Sequence, residues 1–138
     1  MTQITRFGIS MDSRLLNRFD AFLADHGYAN RSEGIRDLVR DRLVQEEWKD
    51  ERTETVGTVT LIYDHHQREL TEKLTGMQHR WHASILSAMH IHLDERRCLE
   101  VLAVRGRASV LKAIADSLIS TKGVKHGKLV MTSTGKGL

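Results

Sequence analysis

The sequence contains no proline and only one cysteine among its 138 residues. Without proline, helices and strands must end at glycine, asparagine, aspartate or clusters of charge. A single cysteine excludes an intrachain disulfide, which suits a reducing compartment. No apolar run approaches the roughly 20 residues of a membrane span, and the start, "MTQITRFGISMD", lacks the apolar core of a signal peptide. We therefore expect a cytoplasmic protein with no membrane contact.

The net charge is also small, since positive and negative side chains nearly balance at a formal +3. Residues 1–50 hold 8 Lys and Arg side chains against 9 Asp and Glu, whereas residues 100–138 hold 7 against 2. A nucleic-acid contact in the N-terminal part would therefore depend on the placement of individual cations and not on overall charge.

The first fifty residues predict the order strand, helix, helix. The stretch "ITRFGISM" alternates apolar and polar residues, as a half-buried strand does. Asp12 or Ser13 can cap a first helix that ends at Gly27, and Asn30 with Glu33 forms a capping box for a second. One strand and two short helices cannot enclose a core, so we expect a two-fold dimer whose strands pair antiparallel.

The rest of the chain predicts the order β-α-β-β-α-β, which is typical of a ferredoxin-like domain. Its strand Trp81–Leu93 carries apolar residues at odd positions, and we expect that odd face to lie in the core. The six elements are read from Val56–Asp64, "HQRELTEKLTGMQ", Trp81–Leu93, "CLEVLAV", "RASVLKAIADSLIST" and "KLVMTST". The charged stretch "QEEWKDERTETVG" (Gln45–Gly57), which joins the two parts of the chain, is interpreted as a helix end followed by a linker.

Four histidines and the single cysteine lie together in "QHRWHASILSAMHIHLDERRC". On the predicted strand, His90 and His92 share a face, and Cys98 follows the turn at the start of the pairing strand. His79 lies on the order of 30 Å away along an extended chain, whereas a second subunit's His79 could reach the cluster across a two-fold axis. A planar arrangement of these ligands would favour Ni(II) or Cu(II), and a tetrahedral one Zn(II) or Co(II).

Three other interpretations of these residues stay open. The histidines can be solvated side chains on an exposed strand face. Cys98 can be a nucleophile with a histidine base, although no oxyanion-hole loop accompanies it. It can also be a small buried apolar residue.

The N-terminal strand and the start of the second helix hold the candidate DNA contacts. A paired antiparallel ribbon fits the major groove, where Arg recognises guanine. Free backbone N–H groups at a helix start attract a phosphate. The alternative is a solvated sheet face. The candidates are Arg6, Gly8, Ser10, Asn30, Arg31 and Ser32.

Two acidic residues lie near the predicted DNA side. Glu33 and Asp37 are four residues apart and so share one helix face. They are either surface acids or the oxygen ligands of a cation that offsets negative charge near the DNA.

Several stretches together resemble the nickel-responsive transcriptional regulators of the ribbon-helix-helix class, the NikR family. The resemblance covers nearly the whole chain, and "HIH" followed by Cys98 is its most specific part. The stretches are "RFGISMDSRLLNRFD", "YANRSEGIRDLVRDRL", "GTVTLIYDH", "MQHRWH", "MHIHLDERRCLEVLAVRG" and "GVKHGKL".

The resemblance implies an α+β chain with a dimeric ribbon-helix-helix domain at 1–48, a linker at 49–55 and an ACT-like, tetramerising domain at 56–138. It implies a homotetramer, as a dimer of dimers, with one square-planar Ni(II) per chain. The implied ligands are His90, His92 and Cys98 of one subunit and His79 of a neighbour.

Further roles follow from the resemblance alone. The metal ligands are implied to have hydrogen-bond partners in Glu100, Tyr63 and Gln78. A cation site is implied at Glu33 and Asp37.

Arg6, Gly8 and Ser10 are implied to read a palindromic operator, with Gly8 standing where a side chain such as Thr often reads a base. The implied function is nickel-dependent repression of nickel uptake or nickel-related genes, with no enzymatic activity. The alternative is a ribbon-helix-helix repressor that senses another metal or a small molecule through its ACT-like domain.

Overall fold

The computed structural model describes residues 2–138, and the chain divides into two compact units after Asp41. The predicted linker at 49–55 groups with the second unit, Arg42–Leu138. Residue 1, at which the predicted N-terminal domain begins, lies outside the described residues. No helix within 2–138 is both long enough and apolar enough to cross a membrane.

The first unit contains α1 (Ser13–Asp25) and most of α2 (Arg31–Lys49). The Asp12 carboxylate accepts the first free N–H groups of α1, which is how an N-cap stabilises a helix start. Gly27, at φ +75°, follows the end of α1 and adopts the left-handed conformation that glycine permits. The predicted helices are confirmed.

The start of α2 is capped by Asn30. Its side-chain oxygen accepts the backbone N–H of Glu33 at 3.0 Å, as in the first half of the predicted capping box. The Glu33 carboxylate itself pairs with Arg36 at 2.6 Å. The second helix therefore begins where the sequence predicts.

Residues 2–12 form no strand within the single chain. The predicted strand has no partner there to complete a ladder of hydrogen bonds. Its apolar side chains are exposed, with Phe7 75%, Ile9 54% and Met11 42% accessible. The paired ribbon therefore stays a prediction that requires a second chain.

The second unit is a four-stranded antiparallel sheet in the order β2-β3-β1-β4, with two further helices. This order confirms the predicted β-α-β-β-α-β pattern. The elements are β1 (Glu54–Asp64), α3 (Arg68–Arg80), β2 (Ile85–His92), β3 (Arg97–Arg107), α4 (Ala108–Ile119) and β4 (Val124–Met131).

The core lies between one face of the sheet and the helices α3 and α4. In β1, buried side chains alternate with half-buried ones, which is the pattern of a strand covered on one side. The even positions of β3 share that covered face. The fully or nearly fully buried apolar residues include Val59, Leu61, Tyr63, Leu74, Leu102, Val104, Leu111, Ile114 and Leu118.

The prediction for the strand Trp81–Leu93 was wrong in its length and in its inner face. Residues 81–84 form turns, and β2 begins at Ile85. The odd positions Met89 and Ile91 are exposed on the face away from the helices, at 55% and 38%, whereas even positions share the covered face.

A β-bulge explains this inversion. Ile85 lies opposite Val104 and Ser87 lies opposite Ala103, so Leu86 is an extra residue in β2. Because side chains alternate with period two, one inserted residue exchanges the faces of every residue that follows. His90 and His92 therefore lie on the helix-covered side of the sheet.

The end of α2 is built into the second unit through Trp48, which is 2% exposed. Its indole N–H donates to the Thr132 carbonyl at 2.8 Å, and the Lys112 ammonium donates to the Trp48 carbonyl at 2.7 Å. The ring also lies against Gly57, where an added Cβ would come within 3.3 Å of it. From the sequence, the charged neighbours of Trp48 predicted the end of the N-terminal domain at this segment.

We expect Trp48→Ala to destabilise the second unit by about 3–5 kcal/mol, the usual cost of truncating a buried aromatic. Chemical denaturation followed by circular dichroism at fixed protein concentration measures it. Lys49→Ala, which alters an exposed side chain in the same turn, is the control. A difference between the two variants below about 1 kcal/mol would contradict the packing role of Trp48.

Candidate functional site

The hairpin between β2 and β3 carries three of the four candidate metal ligands. His90 lies opposite Glu100 and His92 lies opposite Cys98, so all four share the helix-covered face. The turn between the strands is fixed by Asp94, whose carboxylate accepts the backbone N–H groups of residues 96 and 97 at 3.0 and 2.8 Å. The register places His90, His92 and Cys98 on one face of this hairpin, and their use as metal ligands stays a prediction.

The thiol and one imidazole are close enough to bind the same ion. The distance from Cys98 Sγ to His90 Nδ1 is 3.9 Å. A sulfur about 2.3 Å and a nitrogen about 2.0 Å from one ion lie between about 3 Å and about 4.3 Å apart, depending on the angle at the metal. The observed separation falls within that range, so this donor pair fits a metal ion.

The protonation of Cys98 is controlled by its surroundings. The residue is 1% exposed, and this burial raises the pKa of the thiol above its ordinary value. A hydrogen bond with Tyr63 opposes the rise, and the Glu100 carboxyl group adds to it. The thiol therefore keeps its proton at neutral pH until a bound cation displaces it.

A buried hydrogen-bond network lies directly behind the ligands. Glu100 is fully buried and accepts hydrogen bonds from the Tyr63 hydroxyl and the Gln78 amide. Its third contact is His90 Nδ1, at 3.2 Å from Oε2. Burial and the Glu100 contact raise the pKa of Tyr63, which keeps the phenol protonated as a donor. The network connects the end of α3 to both central strands.

His79 does not join the other three ligands within one chain. It lies exposed in the last turn of α3, where its carbonyl is 3.0 Å from His82 Nδ1. Among residues 2–138, no three His, Cys, Asp or Glu side chains are arranged to hold a metal ion. Of the four candidate ligands, the single chain brings Cys98 and His90 within reach of one ion.

The candidate DNA-contacting residues of the first unit are exposed, as the prediction requires. Arg6, Gly8 and Ser10 lie in the segment that precedes α1. Arg31 is held by Asp20 through two hydrogen bonds of 2.9 Å each, and this pairing lowers the pKa of the aspartate. Asn30 caps α2 as described above, and Ser32 follows in the first turn.

The two acids of the candidate cation site each have another partner. Asp37 accepts the Tyr28 hydroxyl at 2.9 Å and lies 3.3 Å from Arg40. Glu33 pairs with Arg36, as noted above. In this structure these carboxylates contribute to helix-surface ion pairs, and a shared cation between them stays a prediction.

One residue near the ligands was missed by the sequence analysis. The His65 ring stacks on His92, with centroids 4.4 Å apart and an angle of 3° between the planes. The pair of histidines that follows β1 was the available signal, but nothing in the sequence shows that the loop after β1 meets the β2–β3 hairpin.

Comparison with known proteins identifies the family. A family model described as "NikR C terminal nickel binding domain" matches residues 56–132, more than half of the chain. The chain belongs to the NikR family. The matched residues include His79, His90, His92 and Cys98, and the family prediction made from the sequence is confirmed.

Relatives match over the full length of the chain. A protein of Geobacter sp. (strain M21) is 58% identical over 138 residues, covering 100% of this chain and 99% of its own. One of Solibacter usitatus (strain Ellin6076) is 56% identical over 135 residues, covering 98% and 97%. One of Nitratidesulfovibrio vulgaris (strain Miyazaki F) is 50% identical over 138 residues, covering 100% and 99%. Each carries the name "Putative nickel-responsive regulator".

The raised pKa and burial of Cys98 predict slow alkylation in the absence of metal. At pH 7.5, iodoacetamide should modify the folded chain at least about tenfold more slowly than the urea-unfolded chain, because only an accessible thiolate reacts. The rate in the folded state should rise with pH, with a midpoint above the ordinary thiol value of about 8.5. Mass spectrometry of quenched samples gives both rates. Rapid alkylation with a midpoint at or below that value would contradict the burial and the raised pKa of Cys98.

Proposed function

We propose that this NikR-family chain is a nickel-dependent, DNA-binding transcriptional regulator that acts in the cytoplasm as a repressor of nickel uptake or nickel-related genes. Each chain would bind one Ni(II), through His90, His92 and Cys98 of one subunit and His79 of a neighbour. Nickel binding would promote binding to a palindromic operator. Imidazole and thiolate ligands suit Ni(II), and the family description names nickel.

The observation that carries the proposal is the 3.9 Å approach of Cys98 Sγ to His90 Nδ1 on the covered face of the hairpin. His92 extends the same face two residues further along β2. Binding would convert the buried thiol of Cys98 to a thiolate and release its proton, so nickel affinity should depend on pH.

The supply of a fourth ligand by a neighbouring chain is supported by the position of His79. It is exposed at the end of α3, whereas the other three residues lie at the β2–β3 hairpin. A ligand held by another subunit makes metal occupancy and subunit arrangement depend on each other. That dependence is what a metal-responsive regulator requires.

Dimerisation of the first unit is supported by its exposed apolar surface. Leu23 is the buried apolar residue of this unit among the described residues. An isolated domain of this size would lack a core. An apolar groove runs along the N-terminal segment and both helices, and a second chain's strand would cover it. Its apolar lining includes Ile4, Phe7, Ile9, Met11, Leu16, Phe19 and Ile35.

DNA recognition by this dimer is supported by the exposed N-terminal segment. Two copies related by a two-fold axis would present Arg6, Gly8 and Ser10 twice, which matches a palindromic operator. Arg6 would read a base edge, and the N-terminus of α2, capped by Asn30, would hold a phosphate. Arg31 already pairs with Asp20, so we expect its contact with DNA to be secondary.

Association of the second units is supported by the uncovered face of the sheet. This face presents exposed Met89 and Ile91 beside half-buried Leu99 and Val101. A contiguous apolar sheet face of this kind marks an association surface. A tetramer, as a dimer of dimers, would bury this face.

The Glu100 network would transmit the state of the metal centre. Gln78 donates to Glu100 and directly precedes His79, so within each chain one buried carboxyl group would link its hairpin ligands to the His79 that it supplies to a neighbour's centre. Nickel would shift the protein toward the DNA-binding arrangement only as far as it binds that arrangement more tightly than the others.

The test is selection of DNA by the full-length protein with and without nickel. From a random duplex pool, the nickel-loaded protein should enrich an inverted repeat. Fluorescence anisotropy on that duplex should then show at least about tenfold tighter binding with nickel than with chelator, the size of a typical allosteric coupling. Cys98→Ala should lose this difference, because the thiolate ligand is gone.

His126→Ala is the control, since it removes an exposed histidine from β4 and leaves the hairpin ligands intact. It should keep the response to nickel. Equal affinity with nickel and with chelator, or a full nickel response in Cys98→Ala, would contradict the proposed function. A response to another divalent ion or to a small metabolite would then support the alternative sensor.

A further inference from the structure

The loop after β1 is fastened to the hairpin that carries the candidate ligands. The His65 backbone N–H donates to the Arg96 carbonyl at 2.9 Å. The Asp64 carboxylate pairs with the Arg96 guanidinium at 2.9 Å and accepts the His66 backbone N–H at 2.9 Å. These contacts fix the backbone at His65 beside the end of β2.

Fixed in this way, the His65 ring stacks on His92 in nearly parallel planes, 4.4 Å between centroids. The His66 ring meets His65 edge-on, with centroids 4.6 Å apart, but the contacts above hold the His65 backbone without that ring. His92 itself is exposed on an edge strand. The stack is therefore a contact that can restrict the rotation of its imidazole.

The geometry argues against a metal ion shared by these two rings. An imidazole binds a metal along a nitrogen lone pair, which lies in the ring plane. Parallel stacked rings have planes about 3.5 Å apart at van der Waals contact. An ion between them would lie far outside both planes and could not be reached at about 2.0 Å by either lone pair.

The ring nitrogens of His65 give a second reason. Its Nε2 atom is buried and has no hydrogen-bond partner among the described residues, which costs free energy. A buried atom is also shielded from an incoming ion. A carbocyclic ring would fill the same place without that cost, so the value of His65 here lies in its flat ring.

We propose that His65 is a positioning residue for the metal centre: its ring holds the His92 imidazole in place for ligation and supplies no ligand itself. This inference rests on the proposed nickel function. Pre-orienting a ligand reduces the conformational freedom that is lost on binding. The effect should therefore appear in nickel affinity without any change in the number of nickel ions bound.

The test compares His65→Ala, which removes the ring, with His65→Phe, which keeps a flat ring and cannot bind a metal. In competition with a chelator, His65→Ala should bind nickel about three- to tenfold more weakly, the range expected for one aromatic pair. His65→Phe should stay within about twofold of the wild type. All three proteins should keep one nickel per chain and the thiolate-to-nickel absorption band.

His66→Ala is the matched control, because it removes the adjacent ring and leaves the His65–His92 stack. Its nickel affinity should stay within about twofold of the wild type. If His65→Phe were as weak as His65→Ala, a ring nitrogen would be required and the proposal would be wrong. Unchanged affinity in His65→Ala would also overturn it.

A second readout does not involve nickel. In the metal-free protein, the ring protons of His92 should show a ring-current shift in NMR spectra that is lost in His65→Ala and kept in His65→Phe. If the wild type bound no nickel, the proposed function would fail, yet this shift would still report the stack. Identical His92 shifts in the wild type and His65→Ala would overturn the positioning role on their own.

Discussion

The register between β2 and β3 is the constraint on which the candidate metal centre depends. With the extra residue Leu86 in β2, His90 lies opposite Glu100 and His92 lies opposite Cys98. Without that bulge, Met89 and Ile91 would lie opposite Glu100 and Cys98, and both imidazoles would face the other side of the sheet. In the observed register, Met89 and Ile91 lie on the uncovered face. One inserted residue thus separates the ligand face from the proposed association face.

Both units leave apolar surface exposed in the single chain, and the proposed oligomer would cover it. The first unit exposes the apolar side chains that a paired ribbon would cover, and the second exposes one face of its sheet. Small units that cannot bury enough surface alone gain their stability by association. In the proposed assembly, the metal adds a bond between subunits at the place where the chain by itself has only part of a ligand set.

Much of the fold could be predicted because it depends on local signals. Caps, a glycine stop and hydrophobic periodicity predicted both N-terminal helices and the order of the second unit. The bulge at Leu86 could not be predicted, since apolar residues stay at odd positions on both sides of it although the faces that they occupy exchange. Trp48 was missed because its neighbours in sequence are charged, although the ring packs against strands that follow it.

The candidate site was predictable to a different extent. His90, His92 and Cys98 could be grouped from their spacing around one turn, which is a local property. The stack of His65 on His92 joins a loop and a strand that are distant in sequence, so no pattern reveals it. The N-terminal strand likewise depends on a distant partner, the same strand of a second chain.

Mixing subunits tests whether the proposed metal centre is shared between chains. His79→Ala and Cys98→Ala chains should each lack complete sites. After the two are unfolded together and refolded as an equal mixture, roughly a quarter of the sites should combine an intact His79 with an intact set from the other chain, as random assembly predicts. Tight nickel binding by the mixture, and by neither variant on its own, would support a metal centre shared between subunits. No recovery, or wild-type binding by His79→Ala on its own, would contradict it.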